Sequence, residues 1–235
     1  MRWPSVAILI VTYFRPSEIR QTINALLRNL VYDGPLSWHI CDDGSPHHYL
    51  QQIVTDYSSL GISVTITKRQ GWGANVNKGL ASCLKSKYMF LAEDDQVLQK
   101  RLDITKGVAL MEIDPSIGLV RYDGIAGHKL TLDLLEATTQ KGKVAYFNIL
   151  KSSSALNVYS NRPHLRSRRF NVMYGEYRTD LSLGETESNY AHRVKDKKGP
   201  KIVCFPEDVY RVFKHIGKTQ QRTANDTNYK ARTDK

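Results

Sequence analysis

The first hundred residues alternate short β-branched runs with stretches of helical periodicity, and that alternation admits few folds besides strand-helix-strand units building a parallel sheet. Val6 to Val11 reads as the first strand. Pro16-Ser17-Glu18 opens a helix with Ile19, Ile23, Leu26, Leu27 and Leu30 on one face, closed by Asp33-Gly34-Pro35. Leu36 to Cys41 reads as a second strand, followed by a helix to Tyr57, and Ile62, Val64 and Ile66 alternate as a third. A loop containing Gly71 and Gly73 leads into a helix from Ala74 to Leu84, and Tyr88 to Leu91 supplies a fourth strand. Further on, the pattern predicts a helix over Leu102 to Met111 and a strand over Gly118 to Tyr122. Strands are also expected at Val144 to Leu150, Ala155 to Tyr159 and Ile202 to Phe205, and a helix at Glu187 to Val194. Asn161 to Arg169, with four arginines and a histidine, reads as an exposed loop.

At 235 residues the chain can bury one substantial core, so a single α/β domain with a small appendage is expected. From Gly217 to Lys235 there is no Val, Ile, Leu, Met, Phe or Trp, and this basic stretch is expected to be a flexible tail. The formal charge of +11 favours polyanionic partners such as nucleotides, anionic lipid surfaces or nucleic acid. Cys41, Cys83 and Cys204 lack metal-type spacing and read as buried free thiols. Val6 to Val11 is too short for a secretory core or a membrane span, so a cytoplasmic protein is expected, with peripheral membrane contact open to it.

In open parallel sheets ligands bind beyond the carboxyl ends of the strands. At those ends stand Thr12-Tyr13-Phe14-Arg15, Asp42-Asp43-Gly44-Ser45, the segment Lys68 to Asn77, and Glu93-Asp94-Asp95. A carboxylate pair before Gly-Ser is ordinary turn chemistry, and an acidic triplet is ordinary at a helix N-terminus. Their placement at adjacent strand ends adds a second meaning: one carboxylate can accept a base N–H while another holds a hard divalent cation through oxygen. No G-x-G-x-x-G turn follows the first strand, which sets aside a dinucleotide-binding oxidoreductase, and a sugar-nucleotide-forming nucleotidyltransferase lacks its glycine-rich phosphate loop.

The ordered set Val-Thr-Tyr-Phe-Arg-Pro, Cys-Asp-Asp-Gly-Ser-Pro, Gly-Trp-Gly-Ala-Asn-Val-Asn-Lys-Gly-Leu-Ala, Phe-Leu-Ala-Glu-Asp-Asp, Gly-Glu-Thr-Glu-Ser-Asn-Tyr-Ala-His-Arg and Phe-Pro-Glu-Asp-Val-Tyr resembles the nucleotide-sugar glycosyltransferases of GT-A fold, family 2 above all. The resemblance runs from Val6 to Gly217. It implies a Rossmann-like α/β sheet flanked by helices, with a donor-binding half at 1–122 and an acceptor and catalytic-base half at 123–216.

By the same resemblance Thr12, Tyr13 and Arg15 would line the nucleotide pocket, and Asp42 or Asp43 would bind the base. Gly73, Asn77 and Lys78 would pack against base and ribose. The acidic triplet would bind Mn2+ or Mg2+ through Asp95, or through Asp94 in the other register, with Glu93 or Asp94 directed to the ribose or to metal-bound water. His215 would contact metal or pyrophosphate. In the family the general base of an inverting transfer lies in a Glu-Asp pair some residues before an Arg on a helix, and by that resemblance, counted back from Arg193, it would be Glu187, with Glu185 as the alternative. The donor would be a nucleoside-diphosphate sugar, UDP-linked by preference. The acceptor would be a glycan, a lipid-linked sugar or DNA carrying a hydroxylated base, with Arg166, Arg168 and Arg169 gripping an anionic one. A non-catalytic nucleotide- or sugar-binding module is the competing reading.

Overall fold

The computed structural model describes residues 2–122, 124–126, 128–210 and 212–217. Beyond Gly217 the expected tail lies outside the described residues. The chain begins with β1 (Val6–Thr12), buried at every position. It continues through α1 (Pro16–Asn29), β2 (Leu30–Val31), β3 (Leu36–Asp42), α2 (His47–Asp56), β4 (Ser63–Ile66), α3 (Trp72–Ser82) and β5 (Tyr88–Glu93). Apart from β2, whose Leu30 was expected on the apolar face of α1, these are the alternating elements expected from periodicity, and β4, β3, β1 and β5 lie side by side, all parallel.

Because successive side chains of a strand point to opposite faces, β1 feeds two cores. Val6, Ile8 and Ile10 pack with Ile19, Ile23 and Leu26 of α1, whereas Ala7, Leu9 and Val11 pack with Val76 and Leu80 of α3. Gly79 lets α3 approach β1 and β3: a Cβ there would stand 2.8 Å from Leu9 Cδ1 and 3.0 Å from Cys41 Cβ. All three cysteines are buried free thiols.

The second half departs from the parallel pattern. After β6 (Gln96–Leu98), β7 (Leu102–Asp103), α4 (Thr105–Ile113) and β8 (Ile117–Arg121) comes a hairpin of β9 (Leu132–Thr139) and β10 (Gly142–Ile149). Then follow β11 (His164–Ser167), α5 (Arg168–Tyr174), α6 (Leu183–Asp196), β12 (Lys201–Cys204) and β13 (Phe213–His215). The nine-stranded sheet has the order β4-β3-β1-β5-β11-β8-β12-β10-β9. The first four strands are parallel, β11 runs against both its neighbours, and β12 is parallel to β8.

Four expectations need correction. Asn161 to Arg169 is no exposed loop: its second half is β11 and the start of α5, and Arg166 has 0% exposure because a central strand is covered on both faces. The presumed grip of Arg166, Arg168 and Arg169 on an acceptor therefore loses its central member. Arg168 donates to Ser86 O at 3.3 Å and Arg169 to Pro115 O at 2.8 Å. Residues 155–159 form turns and no strand, Val158 N donating locally to Leu156 O at 2.8 Å. The helix expected from Leu102 starts at Thr105, where Asp103 Oδ1 accepts the Thr105 N–H at 2.9 Å and halts the preceding bridge.

Candidate active site

The ends of β1, β3 and β5 converge. At the end of β1, Thr12 Oγ1 donates to Asp94 Oδ2 at 2.7 Å and Tyr13 N to the same oxygen at 3.3 Å. Phe14 takes a positive φ of 42°, and its N–H is caught by Ser45 Oγ at 2.8 Å. This turn sends Arg15 back over the carboxylates, where Nη1 donates to Asp94 Oδ1 at 3.1 Å and also pairs with Asp95 Oδ2. Burial works against the Arg15 charge, but Asp94 and Asp95 outweigh it and hold its pKa above the ordinary value.

Asp94 thus has both oxygens engaged inside the protein. Burial pushes its pKa up, with Arg15 opposing and Asp95 adding to the rise. Asp95 is different: it is 2% exposed, and its Oδ1 is buried with no hydrogen-bond partner among the described residues. Glu93 is half-buried, linked to Gln96 Nε2 at 3.0 Å, and its pKa is raised by desolvation and then by Asp95, Asp94 and Glu187. That last influence places Glu187 electrostatically within reach of the triplet.

The chain returns to this cluster at its far end. β13 pairs with β6, Ile216 N donates to Asp95 O at 2.9 Å, and His215 Nε2 lies 3.3 Å from Asp95 Oδ2. Gly217 must be glycine-sized, because a Cβ there would collide with Asp95 Oδ2 and stand 2.7 Å from Arg15 Nη1. An orphaned carboxylate oxygen beside an imidazole suits a divalent cation with oxygen and nitrogen ligands. Among the described residues no three His, Cys, Asp or Glu groups form a complete cage, so further ligands would come from substrate and water.

Asp42 and Asp43 divide their labour. Asp42, at 0% exposure, accepts Gly44 N at 2.9 Å, Ser45 N at 2.6 Å and the Ser45 hydroxyl, closing its own turn. Asp43 reaches across to the β4–α3 loop, accepting Thr67 Oγ1 at 3.0 Å, Gln70 N at 2.8 Å and Gly71 N at 3.0 Å. Burial raises the pKa of both, against these hydrogen bonds. Arg69, at the tip of the same loop, stacks over the Tyr13 ring at 3.6 Å.

Gly73 and Asn77 lie against the segment before and into α6. A Cβ on Gly73 would collide with Arg178 O, and the Asn77 amide exchanges two 2.9 Å hydrogen bonds with the Tyr177 backbone. Lys78 is exposed on α3. Asn75, not singled out by sequence reasoning, holds the strand ends together through Thr12 O at 3.2 Å and Cys41 O at 3.0 Å.

The two carboxylates of α6 have different surroundings. Glu185 is exposed and completes a capping box with Ser182, receiving Ser182 N at 3.0 Å and Ser182 Oγ at 2.6 Å. Glu187 is half-buried, and its Oε1 accepts Asn161 N at 2.9 Å and Ser160 Oγ at 3.3 Å. Ser160 and Asn161 carry no sequence signal for this role, because the contact depends on how β11 and α6 pack.

The family model described as glycosyl transferase family 2 matches residues 7–188. Among solved structures the chain is similar to the mannosyltransferase PcManGT from Pyrobaculum calidifontis in complex with GDP-Man and Mn2+, at 17% identity and a TM-score of 0.61, covering 90% of this chain and 56% of that one. It is also similar to S. aureus TarS 1-349, at 13% identity and a TM-score of 0.62, covering 91% and 60%. GalNAc-T7 with UDP, GalNAc and Mn2+ aligns at 13% identity with a TM-score of 0.63, covering 89% and 44%. The chain thus spans between about two fifths and three fifths of these structures. No curated protein matches it in sequence. With the family model covering most of its length and the GT-A architecture in place, the chain belongs to glycosyl transferase family 2.

Proposed function

We propose that the chain transfers a sugar from a nucleoside diphosphate, UDP by preference, to an acceptor hydroxyl with inversion and with Mn2+ or Mg2+ as cofactor. The observation that carries the reading is the buried Asp95 carboxylate, whose Oδ2 faces His215 and Arg15 while its Oδ1 has no partner among the described residues. Similar structures in complex with Mn2+ and GDP-Man or UDP support it.

Asp95 and His215 would hold the cation, which when bound neutralises charge on the departing diphosphate. Asp94 holds Thr12, Tyr13 and Arg15 in place, and Arg15 supplies the positive charge that these desolvated carboxylates need. Asp43 fixes the loop bearing Arg69, so that Asp43, Tyr13 and Arg69 frame the nucleotide base.

Glu187 is the general base. Its Oε1 is held by Asn161 and Ser160, and its Oε2 makes no hydrogen bond among the described residues. Oε2 takes the acceptor proton as the hydroxyl oxygen bonds to the anomeric carbon and the bond to the diphosphate breaks, its electron pair leaving with the diphosphate.

The test is Mn2+-dependent hydrolysis of UDP- and GDP-sugars by wild type, Glu187→Gln and Glu185→Gln. Glu187→Gln should slow turnover by about 10² or more with donor affinity unchanged, whereas Glu185→Gln should leave turnover intact. Full activity in EDTA, or in Glu187→Gln, refutes the corresponding part. Nucleotide binding without any turnover would favour a non-catalytic module.

A further inference from the structure

Arg166 is a guanidinium wholly removed from water and without a carboxylate partner among the described residues. It sits among aromatic rings, its Cζ 5.0 Å from the Phe170 centroid, 5.9 Å from Tyr177 and 5.8 Å from Tyr190. Its Nη1 donates to Tyr177 OH at 2.8 Å and its Nη2 to Tyr190 OH at 2.9 Å. Tyr177 and Tyr190 stack on one another at 4.0 Å.

The direction of the chain follows from Tyr159, whose single hydroxyl hydrogen goes to Asn161 Oδ1 at 3.0 Å. The Tyr159 oxygen is therefore the acceptor from the Tyr177 hydroxyl with which it pairs, and the Tyr177 oxygen in turn accepts from Arg166, which can only donate. Asn161 Oδ1 is thereby held, its Nδ2 having no partner among the described residues, and the Asn161 peptide presents its N–H, with Ser160 Oγ beside it, to Glu187 Oε1. Such a chain is polarised along its length by the cation at its head.

We propose that Arg166 is a positioning residue for the transfer, acting through Tyr177, Tyr159 and Asn161 to hold the Glu187 carboxylate toward the acceptor. The proposal rests on the reading of Glu187 as base. Tyr190 shares Arg166 but lies off the chain, which makes it the control.

Arg166 variants risk misfolding, so Tyr159→Phe, which removes one hydroxyl and keeps the ring, is the informative change. The first measurement is the Asn161 backbone amide proton shift in wild type, Glu187→Gln, Tyr159→Phe and Tyr190→Phe. Tyr159→Phe should move it toward the Glu187→Gln value, and Tyr190→Phe should not. Identical shifts in wild type and Tyr159→Phe overturn the proposal.

The second measurement is Mn2+-dependent hydrolysis of UDP-glucose and GDP-mannose. Tyr159→Phe should lower kcat about tenfold at constant KM and lose that effect in the Glu187→Gln background, with Tyr190→Phe within about twofold of wild type. Equal effects of Tyr159→Phe in both backgrounds, or of Tyr159→Phe and Tyr190→Phe, overturn it while leaving Glu187 as base. Wild-type turnover in Glu187→Gln removes both the base and the proposal.

Discussion

His215 Nε2 lies 3.3 Å from Asp95 Oδ2, joining the last described strand to the carboxylate that follows β5. Two short pairings bring them together, β13 on β6 and Ile216 N on Asp95 O. The segment ending in Gly217 therefore forms one wall of the site.

Asp94 and Asp95 should respond differently to loss of charge. Asp95→Asn should abolish Mn2+ binding by calorimetry and leave thermal stability in EDTA nearly unchanged, since among the described residues no group hydrogen-bonds its Oδ1 and Arg15 keeps its pairing with Asp94. Asp94→Asn should lower stability by ~2–4 kcal/mol, because Thr12, Tyr13 and Arg15 all depend on it. His215→Ala should weaken Mn2+ binding roughly tenfold or more. Retained Mn2+ affinity in Asp95→Asn would put the cation on Asp94.

Asp42→Ala should unfold at lower temperature with little change in the affinity of the remaining folded protein for UDP, because Asp42 serves its own turn. Asp43→Ala should weaken UDP binding about tenfold and affect kcat less, since a group near the base contributes equally to ground and transition states. Titration of each variant with UDP, beside a melting curve, checks the pair.

Gly73→Ala should destabilise by ~1–3 kcal/mol, because the added methyl meets Arg178 O and stands 3.3 Å from Thr186 Cγ2. The melting temperature reads the change. An unaltered value would mean that the loop at 178 can yield.

Stability should depend on pH through Asp208, whose pKa is pushed up to about 7, by burial first and then by Glu207. A carboxyl with a raised native pKa favours the fold when protonated. Its contribution is fully present below the unfolded value near 4 and is lost as pH rises through about 7. Asp208→Asn should therefore stabilise at pH ~8 by ~2 kcal/mol, roughly 4–8 °C in Tm, and much less at pH ~4. Melting curves at the two pH values decide it, and an equal shift at both would contradict the assignment.

The parallel half of the fold was legible in the sequence because its signals are local. The alternation in β1, the apolar stripe of α1 and the polar clusters after each strand all lie within a few residues of the groups they organise. Asp42, Asp43 and the acidic triplet stand at strand ends for that reason. The burial of Arg166 was not legible, since a cluster of arginines reads as surface until β11 is inserted between β5 and β8 and aromatic rings close over it. The contrast between Glu185 and Glu187 likewise needed tertiary structure. Both sit at the start of one helix: the capping box of Glu185 with Ser182 is local, and only the packing of α6 beside residues 160–161 gives Glu187 a buried partner. Local periodicity determines which residues form an element and which face is apolar. Which distant element covers that face, and so which charges lose their water, depends on long-range strand pairing that no short stretch of sequence contains.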